Sequence, residues 1–440
     1  MSGEKAEKTN AVEMLSFGGL QFAASIFMAF SSYYLMMFFT DVALIPPAAT
    51  AVLLLCFRLF SAVDTQVIGI FINRNHFKDG KYRPYFKWCA LPFAAGLVAL
   101  GLTPGIGASG RIVYAVFTLI ICDLSWSLLH TASLSMLPYM ARDDINRTKF
   151  MSFSNGSSIL AYILVGTFML PAAGFLGAGD TSRGFGLTLV LLAVIIAPLV
   201  FNAYYRLKER HYVEPEEKPA VRDVFLAIIH SRRIMLFLAG LCLYFMADAF
   251  KNQTTYYYMT FVMGRPDLLP VIIMAGLVTP LAMQPVIPRL LKYAEKERLI
   301  IFGLFAASCS CFMMLAAGNR PFALIVCVVL YGVFTAIIAN LIFAVMASFS
   351  DEIRMQQQIS MSEILAAIMN LGSNLGAAVA GGVAATAMAA FGYSAQAASQ
   401  TTAALAAIKT LYILCTATGM LLSAVVFLSL RHSNTTADSG

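Results

Sequence analysis

Twelve times along this 440-residue chain, a run of about twenty or more mostly apolar residues returns with few charges inside it. As a helix, a run of that length rises about 30 Å, the depth of a bilayer's hydrocarbon layer. The runs cover roughly 12–40, 48–72, 85–104, 112–140, 151–176 and 185–205, then 234–262, 268–291, 299–317, 321–349, 361–391 and 404–430. Lipid offers no hydrogen bonds to an exposed peptide group, so such runs have to become spanning helices. Charged residues make up only 12% of the chain, against roughly 25% in soluble domains. Lipid therefore replaces water around most of the surface. Met1–Asn10 is polar and the first apolar run is far longer than a signal-peptide core, so no cleaved leader is expected.

The loops carry a one-sided charge pattern. Arg74, Lys78, Lys81, Arg83 and Lys87 follow the second run, and Arg142, Arg147 and Lys149 follow the fourth. Arg206, Lys208, Arg210, Lys218, Arg222, Arg232 and Arg233 follow the sixth, and Arg289, Lys292, Lys296 and Arg298 the eighth. The alternate loops hold only Arg111, Arg183, Arg265 and Arg320. Positive charge collects on the cytoplasmic side. Both termini and the even loops are thus expected in the cytoplasm, with the chain in the cytoplasmic (inner) membrane. The net charge of +7 belongs to these loops and calls for no nucleic-acid partner. All eight cysteines fall inside apolar runs without metal-ligand spacing, and read as small packing residues.

The longest polar interruption is Leu207–Arg233, with Pro215 and Pro219. It divides the chain into an N-terminal six-helix bundle (1–206), a linker (207–233), a C-terminal six-helix bundle (234–430) and a polar, disordered tail (431–440). The loop after the second span is basic in each half, a trace of internal repetition common in transporters. The expected fold class is an all-α membrane protein of twelve helices in two six-helix bundles.

Several stretches resemble the glycoside–pentoside–hexuronide cation symporters of the major facilitator superfamily, the group that includes the melibiose permeases. Tyr34-Leu35-Met36-Met37-Phe38-Phe39-Thr40-Asp41 is similar to the family's first-span ending. Gly69–Asn73 and Asp79-Gly80-Lys81-Tyr82-Arg83-Pro84 resemble its form of the superfamily loop signature. Tyr256-Tyr257-Tyr258, Val262-Met263-Gly264, Leu268 and Pro270 resemble the close of its seventh span. Leu137-Pro138, Arg147-Thr148 and Met346–Asp351 fit more loosely. The resemblance implies the major facilitator fold and a gating role for the loop. In that loop Gly80 permits a tight turn, while Lys81 and Arg83 reach carboxylates or helix C-terminal carbonyls. The alternative is that these cations only set topology.

The departures from the family bear on chemistry. The resemblance implies a cation site of aspartates on spans 1, 2 and 4. Matched without gaps, this chain has Ser25 on span 1, and Arg58, Ser61 and Thr65 on span 2 with one displaced carboxylate, Asp64. On span 4 the match falls on His130. Asn155 stands for the sugar-holding arginine of span 5, and Asn374 for the lysine of span 11. The scaffold is kept and the sodium-and-galactoside site is not.

Ionisable groups inside spans cost about 2.5–3.5 kcal/mol each on insertion scales and are functional candidates by default. Here they are Arg58, Asp64, Asp123, Asp248 and Lys251, with His130 titrating near neutral pH. Asp123, Ser127 and His130 share a helical face that could hold or pass a proton, or simply bond among themselves. Asp248 and Lys251 are three residues apart and close enough to pair, either as a structural pair or on a transport path. Glu363, Asn370 and Asn374 align on span 11, where Gly372-x-x-x-Gly376 reads as a close helix contact. In the facilitator fold, polar stripes on spans 1–2, 4, 7 and 11 would face a shared cavity.

These features predict a secondary active transporter importing a small organic solute, driven by protons rather than sodium and working as a monomer. Export of an amphipathic compound and a non-transporting membrane scaffold remain alternatives. The chain has no Walker loop, nucleophile elbow or metal-spaced His/Cys set, so no enzyme and no cofactor are expected.

Overall fold

The computed structural model describes residues 11–75, 77, 79–141, 144–210, 232–284, 286–291, 293, 295–318, 320–357, 361–395, 397 and 399–437. Among these residues the regular structure is helical throughout, apart from one isolated bridge between Phe77 and Gly80. Twelve long helices succeed one another: α1 (Ala11–Tyr33), α2 (Pro47–Arg74), α3 (Arg83–Gly101), α4 (Ala108–Met140), α5 (Asp144–Gly177) and α6 (Thr181–Arg206). Then come α7 (Arg232–Tyr257), α8 (Leu269–Met283), α9 (Lys296–Ala317), α10 (Pro321–Gln357), α11 (Met361–Ala390) and α12, which runs from Thr402 through a π-helical turn to Ala437. Eleven are long and apolar enough to cross a membrane. The exception is α3, which begins with Arg83 and carries Lys87 in its second turn.

Local chemistry sets the helix ends. Pro47 opens α2 and Pro84 sits in the first turn of α3, where a missing N–H costs nothing. Asp180 caps α6 by accepting from the Arg183 N–H at 3.1 Å, and Thr401 caps α12 by accepting from the Ala404 N–H at 3.1 Å. Prolines 92, 138, 171, 198 and 280 lie inside helices, which spanning helices tolerate because neighbouring groups satisfy the freed carbonyls. The sequence suggested a disordered tail beyond 430, but its described part, 431–437, is helical. It continues α12 as far as Ala437.

The chain forms two compact units. The first comprises Met1–Ser31 and Val63–Pro215, the second Ser32–Ala62 and Glu216–Gly440. In the first, α3 packs on α4 and α6, and α5 on α6. In the second, α9 packs on α10 and α12 in the matching pattern, while α7 packs on α11 and α12. The repeat extends to detail: the first helix of each half ends in a π-helical turn, Phe38–Val42 and Tyr258–Val262. The division differs from the one at the 207–233 linker, because residues 32–62 pack with the C-terminal half. Most of the linker, 211–231, lies outside the described residues.

The α7–α11 contact depends on a missing side chain. A Cβ at Gly376 would stand 2.7 Å from the Met246 backbone N and 2.8 Å from the Cys242 carbonyl, so the two backbones touch there. At Gly372 the added carbon would meet the Leu241 Cβ at 3.3 Å, a milder crowding. Gly376→Ala is expected to destabilise the protein by about 1–3 kcal/mol and Gly372→Ala by less. The order is read from thermal unfolding of the purified protein in detergent.

Candidate functional site

In the first unit, α2 and α4 bring two carboxylates together in a dry interior. Asp64 is 4% exposed and Asp123 1%. The Asp64 carboxylate faces Asp123 and Ser127 of α4, and its Oδ1 accepts from the Thr65 hydroxyl at 3.1 Å. Its Oδ2 and the Ser127 Oγ are both buried without a hydrogen-bond partner among the described residues. Two buried carboxylates side by side repel, and an unmet oxygen there is costly. A proton or a cation held between the two carboxylates would stabilise the arrangement. Among the described residues no third acid, histidine or cysteine joins them as a metal-binding group.

The second unit encloses a cavity of about 240 Å³ lined from α7, α8 and α10. Asp248 of α7 accepts from Asn252 Nδ2 at 2.8 Å and from the Tyr331 hydroxyl at 3.2 Å. Lys251, one turn along α7 and 6% exposed, holds its Nζ 4.7 Å from the centroid of the Tyr331 ring. Tyr331 thus serves both charges, giving its hydroxyl to the acid and its ring face to the cation. Asp248 and Lys251 make no direct ion-pair contact; the two charges act on each other through space, with Asn252 and Tyr331 donating to the acid.

The π-helical end of the first span carries a further polar cluster in the second unit. Asp41 accepts from the Tyr393 hydroxyl at 2.8 and 3.0 Å and from the Thr40 hydroxyl at 2.7 Å. The Thr40 and Tyr257 hydroxyls lie 2.7 Å apart.

Residues 79–83 close the loop between α2 and α3. Gly80 has φ of +119°, a conformation that disfavours any side chain. Beyond it, the Glu209 carboxylate accepts the N–H groups of Lys81 at 2.9 Å, Tyr82 at 2.7 Å and Arg83 at 3.1 Å, an anion set on the N-terminus of α3. Arg83 donates through Nη2 at 2.9 Å and Nε at 3.3 Å to the Tyr204 carbonyl in the last turn of α6. Arg210 donates its N–H to the Tyr139 carbonyl at 2.9 Å and pairs with Glu13 of α1.

Residues 16–431 match the family profile described as MFS/sugar transport protein. The chain belongs to that family. It is 26% identical over 422 residues to the isoprimeverose transporter of Lactiplantibacillus pentosus, covering 94% of this chain and 88% of that protein. It is also 26% identical over 307 residues to the uncharacterized symporter YnaJ of Bacillus subtilis (strain 168), covering 69% of this chain and 66% of that one. Among solved structures, the nucleoside transporter NupG superposes with a TM-score of 0.69 at 12% identity, covering 95% of this chain and 99% of the other. At that identity the likeness is one of fold alone. The chain is a secondary transporter of the MFS type with symporter homologues, and its family consists of transporters rather than enzymes.

Set against the sequence reading, the structure redistributes the roles in this MFS/sugar transport protein. The gap-free family match put His130 at the span-4 carboxylate position. The structure sets Asp123 beside Asp64, and stacks the His130 ring on Trp126 at 5.0 Å and 17°. His130 lies seven residues from Asp123, about 10 Å along the helix, and the two do not bond. Arg58 is buried on α2 with its guanidinium 5.5 Å from the Phe57 ring. It falls in the second unit while Asp64 falls in the first. Asn155 is exposed on α5 and Asn374 half-buried on α11. The side chains of Asn370 and Glu363 lie outside the described residues. Tyr331, Asn252, Trp126 and Glu209 escaped the sequence reading. Only Glu209 left a signal, as an acid between Lys208 and Arg210 directly after a span.

Two outcomes follow. Gly80→Ala is expected to weaken the loop twice over, through its positive φ and through a Cβ 2.8 Å from Glu209 Oε1. Glu209→Gln should retain the fold but loosen residues 81–83, seen as faster amide exchange there.

Proposed function

We propose that this chain is a proton-coupled carrier that imports a small hydroxylated organic solute by alternating access. It would work as a monomer in the cytoplasmic membrane with both termini in the cytoplasm. The observation that carries the reading is the Asp64–Asp123 pair, with the unmet Asp64 Oδ2 and Ser127 Oγ beside it. A proton fits a two-carboxylate site with one spare hydroxyl, because one carboxylic acid can donate to the neighbouring carboxylate. The solute reading draws support from the isoprimeverose transporter among the relatives. It draws support also from the amide- and tyrosine-lined cavity of the second unit, since hydroxyl groups need donors and acceptors of that kind.

Export of an amphipathic compound is the second reading. It is favoured by an apolar groove of about 540 Å³ in the second unit, lined by Val52 and Leu55 of α2 and by Val379 and Val383 of α11.

Proteoliposomes containing a pH-sensitive dye test both readings. Adding isoprimeverose, xylose or glucose outside should acidify the lumen in wild type with a transported sugar. Asp64→Asn and Asp123→Asn should each abolish that signal by removing a proton-holding carboxylate, while sugar exchange at equal concentrations persists. Uptake that requires sodium and ignores pH would sink the proton reading. An amphipathic dye pumped out, with no sugar response, would establish the second.

A further inference from the structure

Residues 32–62 form a hairpin that belongs to the N-terminal sequence but packs with the C-terminal half. Its backbone departs from regular helix at two places that bracket Asp41. At Tyr34, with φ −121° and ψ −17°, α1 is interrupted just after the unit boundary at Ser31. At Leu44 the turn into α2 takes φ of +54°, in a place after a helix end that usually falls to glycine. A bulky side chain stays in that region only where its surroundings hold it. Between the two, Asp41 accepts from the Tyr393 hydroxyl at 2.8 and 3.0 Å and from the Thr40 hydroxyl at 2.7 Å. With its one proton on Asp41, the Thr40 hydroxyl accepts from Tyr257 at 2.7 Å. The Tyr393 ring also packs edge-on against Tyr257 at 5.4 Å and Phe261 at 5.6 Å.

This cluster sits beside a cavity. Tyr33, next to the interruption, and Thr255, two residues before Tyr257, both line the space of about 240 Å³ in the second unit. We infer that the 32–62 hairpin is a hinged lid on that cavity, pivoting at Tyr34 and latched shut by Asp41 with Tyr393. The inference rests on the carrier reading above, in which a cavity has to open and close, and adds the element that closes it. Three features suit a lid better than fixed packing. The latch is polar and stands at the ends of α1 and α7, where water can replace each bond, so opening costs only the small net worth of a hydrogen bond. Opening also frees Leu44 from its strained turn. Along its α2 arm the hairpin meets α11 through small and apolar residues, Ala51 and Leu55 against Gly382, beside an apolar groove of about 540 Å³. Such a contact shifts without breaking hydrogen bonds.

The test uses the full-length protein in detergent and reads amide hydrogen exchange over residues 35–46. Tyr393→Phe keeps the ring and removes the hydroxyl that reaches Asp41, and should speed exchange by about tenfold. Tyr257→Phe removes the donor to Thr40 and should speed it by about fivefold. Should Tyr393→Phe fail to fold, Tyr257→Phe carries the same decision. A disulfide on the other arm separates a lid from a local contact. In a Cys56→Ser background, Leu55→Cys with Gly382→Cys places two Cβ atoms 3.8 Å apart, the separation that a disulfide takes. Oxidised with diamide, this bridge ties the α2 arm to α11. It should return Tyr393→Phe to the slow exchange of wild type, and reduction should undo the effect. Unchanged exchange in Tyr393→Phe overturns the lid. So does fast exchange that the bridge fails to slow, because the hydroxyl then steadies only its own surroundings. In proteoliposomes that take up a sugar, the bridge should stop uptake until it is reduced, and uptake that continues through the bridged protein overturns the lid while the carrier reading stands. Exchange slowed by the bridge, with no uptake of any solute even by wild type, supports the lid and removes the carrier reading.

Discussion

Lipid cannot hydrogen-bond to a protein, and almost everything in this structure follows from that limit. The backbone meets it by turning every apolar run into a helix, so the peptide groups satisfy each other. Where the helical ladder loosens, as at the π-helical turns Phe38–Val42 and Tyr258–Val262, nearby hydroxyls and rings gather. Thr40, Tyr257 and Tyr393 collect around Asp41 at the first of these turns. The same limit makes each buried side-chain charge a problem with few solutions, and the two units solve it differently.

In the first unit the solution is incomplete by design of the residues present. Two carboxylates and a serine hydroxyl are held together there, with one Asp64 oxygen left without a hydrogen-bond partner among the described residues. In the second unit the acid accepts from Asn252 and Tyr331, and acid and base act on each other through space. A single tyrosine touches both charges, its hydroxyl on the acid and its ring on the base.

The loop before α3 shows a third way of handling polar groups, at an end of the helices rather than inside them. Glu209 answers three N–H groups at the start of α3, and Arg83 answers a carbonyl at the end of α6. Each charge is set where a helix leaves its own groups unpaired. Gly80 permits this because a side chain there would occupy the place of the Glu209 carboxylate. The loop signature is therefore a statement about backbone geometry as much as about charge.

The sequence by itself determined the class of the fold, since twelve apolar runs of bilayer length admit no other solution than spanning helices. It also determined the family, through motifs such as Tyr34–Asp41 and Gly80–Pro84, and it marked Asp64, Asp123, Asp248 and Lys251 because charges in such runs are rare. What it could not determine was who meets whom. Helical spacing puts Asp123 and His130 on one face, but only packing of α2 against α4 decides that Asp64 meets Asp123 while His130 lies on Trp126. Spacing likewise made Asp248 and Lys251 look like a direct pair, and Tyr331 from α10, eighty residues away, comes to touch both. Periodicity speaks for one helix at a time, whereas hydrogen-bond partners of buried charges come from neighbouring helices, and their register is set by tertiary structure alone.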